Sequence, residues 1–217
     1  MWAVVALVIG GVGGYYVGVA MPSGQSQGDK STVPTATSNE KQKDFSNAMR
    51  KVWEDHITWT RLYIVEAVAG NPGASQSAAR LLKNQEDIGT TIKPYYGSAA
   101  GDQLTALLKT HIQGAVDILS AAKANDQQKL AVAKTAWYNN ADQIATFLSK
   151  ANPAEWPEDA MQAHMKTHLD LTLAEAVAEL QGKYADSIAN YDSVHGQILE
   201  LADMLSHGII LPFPAQF

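Results

Sequence analysis

The sequence predicts an all-α protein: an up-and-down bundle of about six helices, preceded by one N-terminal transmembrane helix. Three observations predict this class. Residues 2–21 carry no charged side chain, and an uncharged run of that length matches a helix that spans a bilayer. Six later segments repeat apolar residues every three or four positions between glycine and proline stops, as amphipathic helices do. No segment shows the sustained alternation that a β-hairpin requires.

The uncharged segment at residues 2–21 is interpreted as an uncleaved membrane anchor. A cleavable signal peptide is the alternative, since Gly18 and Ala20 are small enough for a cleavage site, but the usual preceding basic residues are missing. Gly10, Gly14 and Gly18 recur every fourth residue and would let a second helix approach closely. The segment therefore predicts membrane attachment and allows self-association of the anchor.

Residues 22–37 are rich in Ser, Gly, Gln, Thr and Pro, a composition too poor in apolar side chains to fold. We interpret them as a flexible spacer. A spacer after an N-terminal span usually holds a domain off the outer face of a membrane. We therefore expect the helical domain, residues 38–217, on the extracytoplasmic side, where a membrane protein could be its partner.

Glycine, proline and asparagine positions set the expected helix bounds. The six helices are expected at about residues 37–69, 74–93, 99–124, 127–150, 157–181 and 185–207. Pro94 and the turn at Tyr95, Tyr96 and Gly97 should end the second helix. Gly208 should cap the sixth helix, and the apolar tail that follows should pack back onto the bundle. Short connections make successive helices antiparallel, with four long helices and two more packed alongside.

Composition excludes several kinds of function. The formal charge of the 217-residue chain is −6, and its basic residues are scattered among acidic ones, so no basic surface for nucleic acid is expected. The chain contains no cysteine, which excludes disulfides, thiolate metal sites and cysteine nucleophiles. Phosphate-binding loops, serine-hydrolase elbows and the His-Glu-x-x-His metalloprotease helix are also missing from the sequence.

Several phrases resemble an uncharacterised family of bacterial helical proteins, some of which carry unrelated enzyme names. The phrases are residues 56–61 (HITWTR), 80–89 (RLLKNQEDIG), 137–148 (WYNNADQIATFL) and 168–175 (HLDLTLAE). The resemblance covers nearly the whole helical domain but not the anchor. It implies the all-helical fold and no particular activity.

Four of the six histidines lie on the apolar stripes of four different predicted helices, each near the helix midpoint. They are His56, His111, His168 and His195. Gln85 and Asn140 lie near the midpoints of the other two helices. Midpoints share one layer in an up-and-down bundle, so the sequence predicts a polar belt across the core. Buried polar groups need hydrogen-bond partners or a ligand, and both explanations of the belt remain open.

A transition metal is the natural ligand because neutral imidazole suits zinc and copper. Asp192 precedes His195 by three residues, a helical step that carboxylate sites in bundles use, and could bind the metal directly or through a ligand. His164 and His168 form a second pair one turn apart, and Met161 and Met165 beside them would favour copper(I). The candidate metal ligands are therefore His56, His111, His168, His195, Asp192 and His164.

Three functions fit these patterns. The first is a membrane-tethered extracytoplasmic domain that binds or senses a transition metal through its core histidines. The second is a structural or interaction subunit of a membrane assembly, with neither metal nor catalysis. The third is a metal-dependent oxidoreductase, which would need an open coordination position and a cleft; no catalytic residue is assigned.

Overall fold

A computed structural model describes residues 38–217, and this part of the chain folds into six α-helices with no strand. The helices are α1 (Ser38–Ala69), α2 (Ala74–Tyr96), α3 (Ser98–Lys123), α4 (Gln127–Ala151), α5 (Glu158–Leu180) and α6 (Tyr184–Ile210), followed by a short 3-10 turn at Pro214–Gln216. The prediction of an all-α bundle of six helices is confirmed. The predicted anchor, its Gly10, Gly14 and Gly18 face, and the spacer lie outside the described residues.

The six helices form a closed ring. Each helix packs against the next along the chain, and α6 packs against α1 to complete the circuit. The connections are one to six residues long, so neighbouring helices run in opposite directions and α1, α3 and α5 run in the same direction. The expected arrangement of four helices with two packed alongside is therefore wrong, since all six helices belong to one ring.

Helix α2 runs through Pro94 and ends at Tyr96, three residues beyond the expected end. Proline lacks the N–H that would bond to the carbonyl four residues earlier, but Tyr95 and Tyr96 still complete the last turn, and the Gly97 N–H donates to the Lys93 carbonyl at 2.9 Å. The helix ends at Gly97, whose φ of 85° lies in the left-handed region that glycine adopts without strain. The predicted turn at Tyr95, Tyr96 and Gly97 is therefore confirmed only at Gly97, and the prediction that Pro94 ends the helix is wrong.

Gly208 lies inside α6, which continues to Ile210, so its predicted role as a cap is wrong. A Cβ atom at this position would lie 2.6 Å from the indole Cε2 of Trp156. Trp156 itself is almost fully buried, and its Nε1 donates a hydrogen bond to the carbonyl of Met204 at 3.3 Å. Glycine at 208 therefore makes room for a tryptophan from the α4–α5 connection.

The C-terminal tail folds back onto the bundle, as the sequence predicts. The Phe217 ring is buried and stacks on Tyr95 with the ring centroids 5.5 Å apart. Phe45 approaches both rings, each at 5.2 Å. This aromatic group joins the beginning of α1, the end of α2 and the chain end.

No helix within residues 38–217 combines the length and the apolar character needed to span a bilayer.

Candidate functional site: three core histidines

Three histidines meet inside the ring of helices, one each from α1, α3 and α5. His56, His111 and His168 are only 3%, 3% and 5% exposed. The ring centroids of His56 and His168 are 5.7 Å apart, and those of His111 and His168 are 6.3 Å apart. We call these three residues the histidine layer.

The histidine layer forms because α1, α3 and α5 carry the same local pattern. In each helix the residues seven before, three before and one after the histidine are buried and apolar. They are Met49, Trp53 and Ile57 in α1, Leu104, Leu108 and Ile112 in α3, and Met161, Met165 and Leu169 in α5. This spacing defines one helix face. The three helices therefore present equivalent faces to the interior at the same level.

Each histidine contacts a side-chain amide on the following helix, always 29 residues further along the chain. The Nδ1 atoms of His56, His111 and His168 lie 3.3, 3.1 and 3.2 Å from amide atoms of Gln85, Asn140 and Gln197. All three amides are buried. The bundle is thus three helical hairpins, each with a histidine on its first helix and an amide on its second.

Two of the amides fix the protonation of their histidine. The side-chain nitrogen of Asn140 donates a hydrogen bond to the carbonyl of Leu107 at 3.2 Å, and that of Gln197 donates to the carbonyl of His164 at 3.3 Å. Their oxygens therefore face the histidine and accept from Nδ1–H. In His111 and His168 the Nε2 atom consequently carries the free lone pair. Because the two nitrogens of an imidazole face nearly opposite directions, Nε2 faces away from the amide that contacts Nδ1.

The third amide is turned the other way. Gln85 Nε2 lies within hydrogen-bond distance of three acceptors, the Leu81 carbonyl at 2.7 Å, Asn84 Oδ1 at 3.1 Å and His56 Nδ1 at 3.3 Å, so its two hydrogens are shared among them. His56 Nδ1 then accepts, which leaves its hydrogen on Nε2. Gln85 Oε1 is buried with no hydrogen-bond partner. An orphan acceptor of this kind costs about 1–3 kcal/mol.

Burial keeps the histidine layer neutral. Loss of solvation is the largest cause, and it lowers the pKa of His111 to about 3 and that of His168 to about 4. The pKa of His56 also falls well below 6.5, first through burial and then through repulsion from His168 and His111. All three imidazoles are therefore neutral at physiological pH, the form that binds metals.

The main-chain carbonyls of the three histidines are also occupied. Thr60 Oγ1 donates to the carbonyl of His56 and Thr172 Oγ1 to that of His168, both at 2.8 Å. The indole Nε1 of Trp137 donates to the carbonyl of His111 at 3.0 Å. The α3 residue that matches the two threonines is Ala115, so tryptophan from α4 replaces the missing hydroxyl.

The remaining candidate ligands lie elsewhere. His195 is partly exposed at 36%, and its Nε2 lies 2.9 Å from Oε1 of Glu54 on α1. Asp192 is exposed, and His164 is partly exposed. The structure therefore brings together three of the four stripe histidines and leaves His195, Asp192 and His164 outside the histidine layer.

A buried ionic cluster lies nearby at the junction of α1, α5 and α6. Arg61 pairs with Glu175 at 3.1 Å and with Glu179 at 3.4 Å, and Ser187 Oγ donates to Glu179 at 2.7 Å. Burial is the largest cause that raises the pKa of Glu175 to about 7, and Arg61 opposes it. Arg61 is thus held between two buried carboxylates.

Gln197 is a member of the site that the apolar stripes did not indicate. The signal that locates it is the repeat itself, because His56 to Gln85 and His111 to Asn140 share an offset of 29 residues. The same offset from His168 leads to Gln197.

Comparison with family models, with curated proteins and with solved structures finds no match to this chain.

The neutral histidines should make the metal-free protein sensitive to acid. Their folded-state pKa values lie below the unfolded value of 6.5. Their contribution to the free energy of unfolding is therefore complete above pH 6.5 and is lost as the pH falls toward the folded-state pKa. Each histidine lowers the free energy of unfolding by up to about 1.4 kcal/mol for every pH unit of acidification. The raised pKa of Glu175 acts in the opposite direction, since its contribution is lost as the pH rises through 7. Around pH 5 the free energy of unfolding should therefore fall by about 2.7 kcal/mol for each pH unit of acidification.

Urea unfolding of metal-free protein across this pH range measures that slope. His168→Gln should lower the slope by about 1.4 kcal/mol per pH unit, the contribution of one proton. His207→Gln, at an exposed position, should leave the slope unchanged. An identical slope in wild type and His168→Gln would contradict a neutral, buried His168.

Proposed function

We propose that the helical domain binds one transition-metal ion, zinc or copper, through the Nε2 atoms of His56, His111 and His168. The observation that carries this proposal is the convergence of three buried, neutral imidazoles, each held at Nδ1 by an amide of the next helix. Hydrogen bonds to the second nitrogen of a ligating histidine fix its tautomer and its orientation. Ion binding would explain why an otherwise largely apolar core contains a layer of three histidines.

The spacing of the rings is close to that of a metal site. With metal–nitrogen bonds of about 2.0–2.1 Å, three imidazoles on one ion have ring centroids about 5.2–5.5 Å apart. The observed 5.7 and 6.3 Å are slightly larger. As the side chains stand, no group of three or more His, Asp or Glu residues within residues 38–217 is arranged to hold an ion. Metal binding would therefore draw the rings together by about 0.2–1 Å.

Metal binding would also require the Gln85 amide to turn. His56 must free its Nε2 and carry its hydrogen on Nδ1, which then needs an acceptor. Gln85 Oε1, the orphan acceptor, would become that acceptor after half a turn of the amide. The turn would sacrifice the hydrogen bonds to the Leu81 carbonyl and Asn84 Oδ1. It would give all three hairpins the same histidine–amide geometry.

The surroundings are compatible with either proposed ion. The imidazoles are neutral before binding, so protons compete weakly with the metal. Imidazole suits both zinc and copper, while a thioether selects copper(I). Met165 is buried on the same face of α5, one turn before His168, which favours copper(I) if its sulfur contributes.

Equilibrium dialysis tests this proposal directly. The full chain in mild detergent is dialysed against zinc(II), or against copper(I) with a reductant, and its metal content is measured by elemental analysis. We expect one ion per chain, released when the protein is acidified enough to protonate the imidazoles. Retention of less than a tenth of an ion per chain for both metals would overturn the proposal.

We place the metal-binding domain outside the cytoplasmic membrane, held by residues 2–21 and the spacer at 22–37. The support is the uncharged segment and the polar linker composition. The full chain should remain with membranes after a carbonate wash, whereas a chain that starts at Ser38 should be soluble. Recovery of protein that begins at residue 21 or 22 in the soluble fraction would show a cleaved signal peptide instead.

A further inference from the structure

A small cavity lies one helical turn beyond the histidine layer, between α1, α3 and α5. Its volume is about 40 Å³. Three of its lining residues, Thr60, Ala115 and Thr172, are each four residues after a histidine of the layer, and Ile64, Leu119 and Trp137 also line it. We call this space the inner cavity.

The wall of the inner cavity offers water no hydrogen-bond partner. The hydroxyls of Thr60 and Thr172 and the indole N–H of Trp137 donate to the carbonyls of the three histidines, and the wall exposes only apolar atoms. A water needs two to four polar partners, and about 10–15 Å³ of such space is enough for one. Room for water is therefore present, but partners for water are not.

The smallness of Ala115 opens this space. At the matching positions α1 and α5 carry threonines, whereas α3 carries alanine. Empty apolar cavities in proteins accept apolar guests such as xenon instead of water. We propose that the inner cavity is a binding site for a neutral apolar molecule of diatomic size, such as dioxygen. The site goes beyond the metal proposal and does not depend on it.

Xenon is a suitable probe, since it is apolar and enters cavities of this kind. The full chain in mild detergent, with a metal chelator present, is labelled at isoleucine and leucine methyl groups and titrated with xenon by NMR. We expect saturable shifts at Ile64, Ile112 and Leu119, which line the cavity. Ile57 and Ile198 are equally buried but lie outside its wall, so they should not shift.

Ala115→Leu should fill the cavity and abolish the saturable shifts. Ala106→Leu is the matched control, because residue 106 is exposed on the same helix, and it should keep them. Ala176→Val narrows the cavity from α5 and serves if Ala115→Leu does not fold. Shifts that grow linearly at all methyl groups, or saturable shifts that persist in both cavity variants, would overturn the proposal. The chelator separates this result from the outcome of metal dialysis.

Discussion

With a saturating transition metal, the unmodified chain should melt several degrees higher than without it, and the His111→Ala chain should melt at the same temperature in both conditions. A ligand that binds only the folded state at 100 times its Kd stabilises the protein by about 2.7 kcal/mol. For a domain of this size, that corresponds to about 5–11 °C. His111 is buried in the histidine layer, so its loss removes one of three proposed ligands.

His195→Ala is the matched control for this experiment. His195 also lies near the middle of a helix, but it pairs with Glu54 at the surface, so its variant should keep the full metal-dependent shift. The comparison is made within each variant, with and without metal, so any loss of metal-free stability cancels. Equal shifts in His111→Ala and His195→Ala would show that the metal binds outside the histidine layer.

Gly89→Ala should destabilise the fold strongly, because α2 and α3 touch through their backbones at this point. A Cβ at Gly89 would lie 2.6 Å from the carbonyl oxygen of Gly101, and a Cβ at Gly101 would lie 2.5 Å from the carbonyl oxygen of Gly89. A backbone neighbour cannot rotate away, so the two helices must separate. We expect a loss of about 1–3 kcal/mol or more in the free energy of unfolding, measured by urea denaturation.

Gly196→Ala provides the opposite result within a helix of the same bundle. A Cβ at Gly196 meets nothing within 4 Å, and alanine is favoured over glycine inside a helix by about 0.5–1 kcal/mol. This variant should therefore be slightly more stable than wild type. If Gly89→Ala were as stable as Gly196→Ala, the close approach of α2 and α3 would be refuted.

The sequence predicted the number of helices and most of their ends, since glycine, proline and asparagine interrupt each apolar pattern. The predictions that Pro94 ends α2 and that Gly208 caps α6 were wrong. A proline in the last turn of a helix leaves no sequence mark that separates it from a stop. Gly208 serves the packing of Trp156, which is 52 residues away in the chain, and local patterns carry no information on such contacts.

For the site, the apolar stripes located His56, His111 and His168 but wrongly placed His195 with them. In α6 the buried residues nearest His195 include Val194, Gln197, Ile198 and Leu201, so the core face is turned by about 100° from His195, one residue step. A wide apolar face allows several stripes to be drawn through it. The offset of 29 residues between histidine and amide is the stronger guide, because it reflects the repeated hairpin and not the width of one face.

X-ray absorption spectroscopy of the metal-loaded full chain tests the central claim most directly, since it reports the atoms bound to the ion. The three-histidine site predicts a first shell dominated by three imidazole nitrogens at about 2.0 Å, with the outer-ring scattering typical of histidine. That signal should be lost in His111→Ala and kept in His195→Ala. A shell of oxygen ligands only, or an unchanged spectrum in His111→Ala, would contradict a metal site built from His56, His111 and His168.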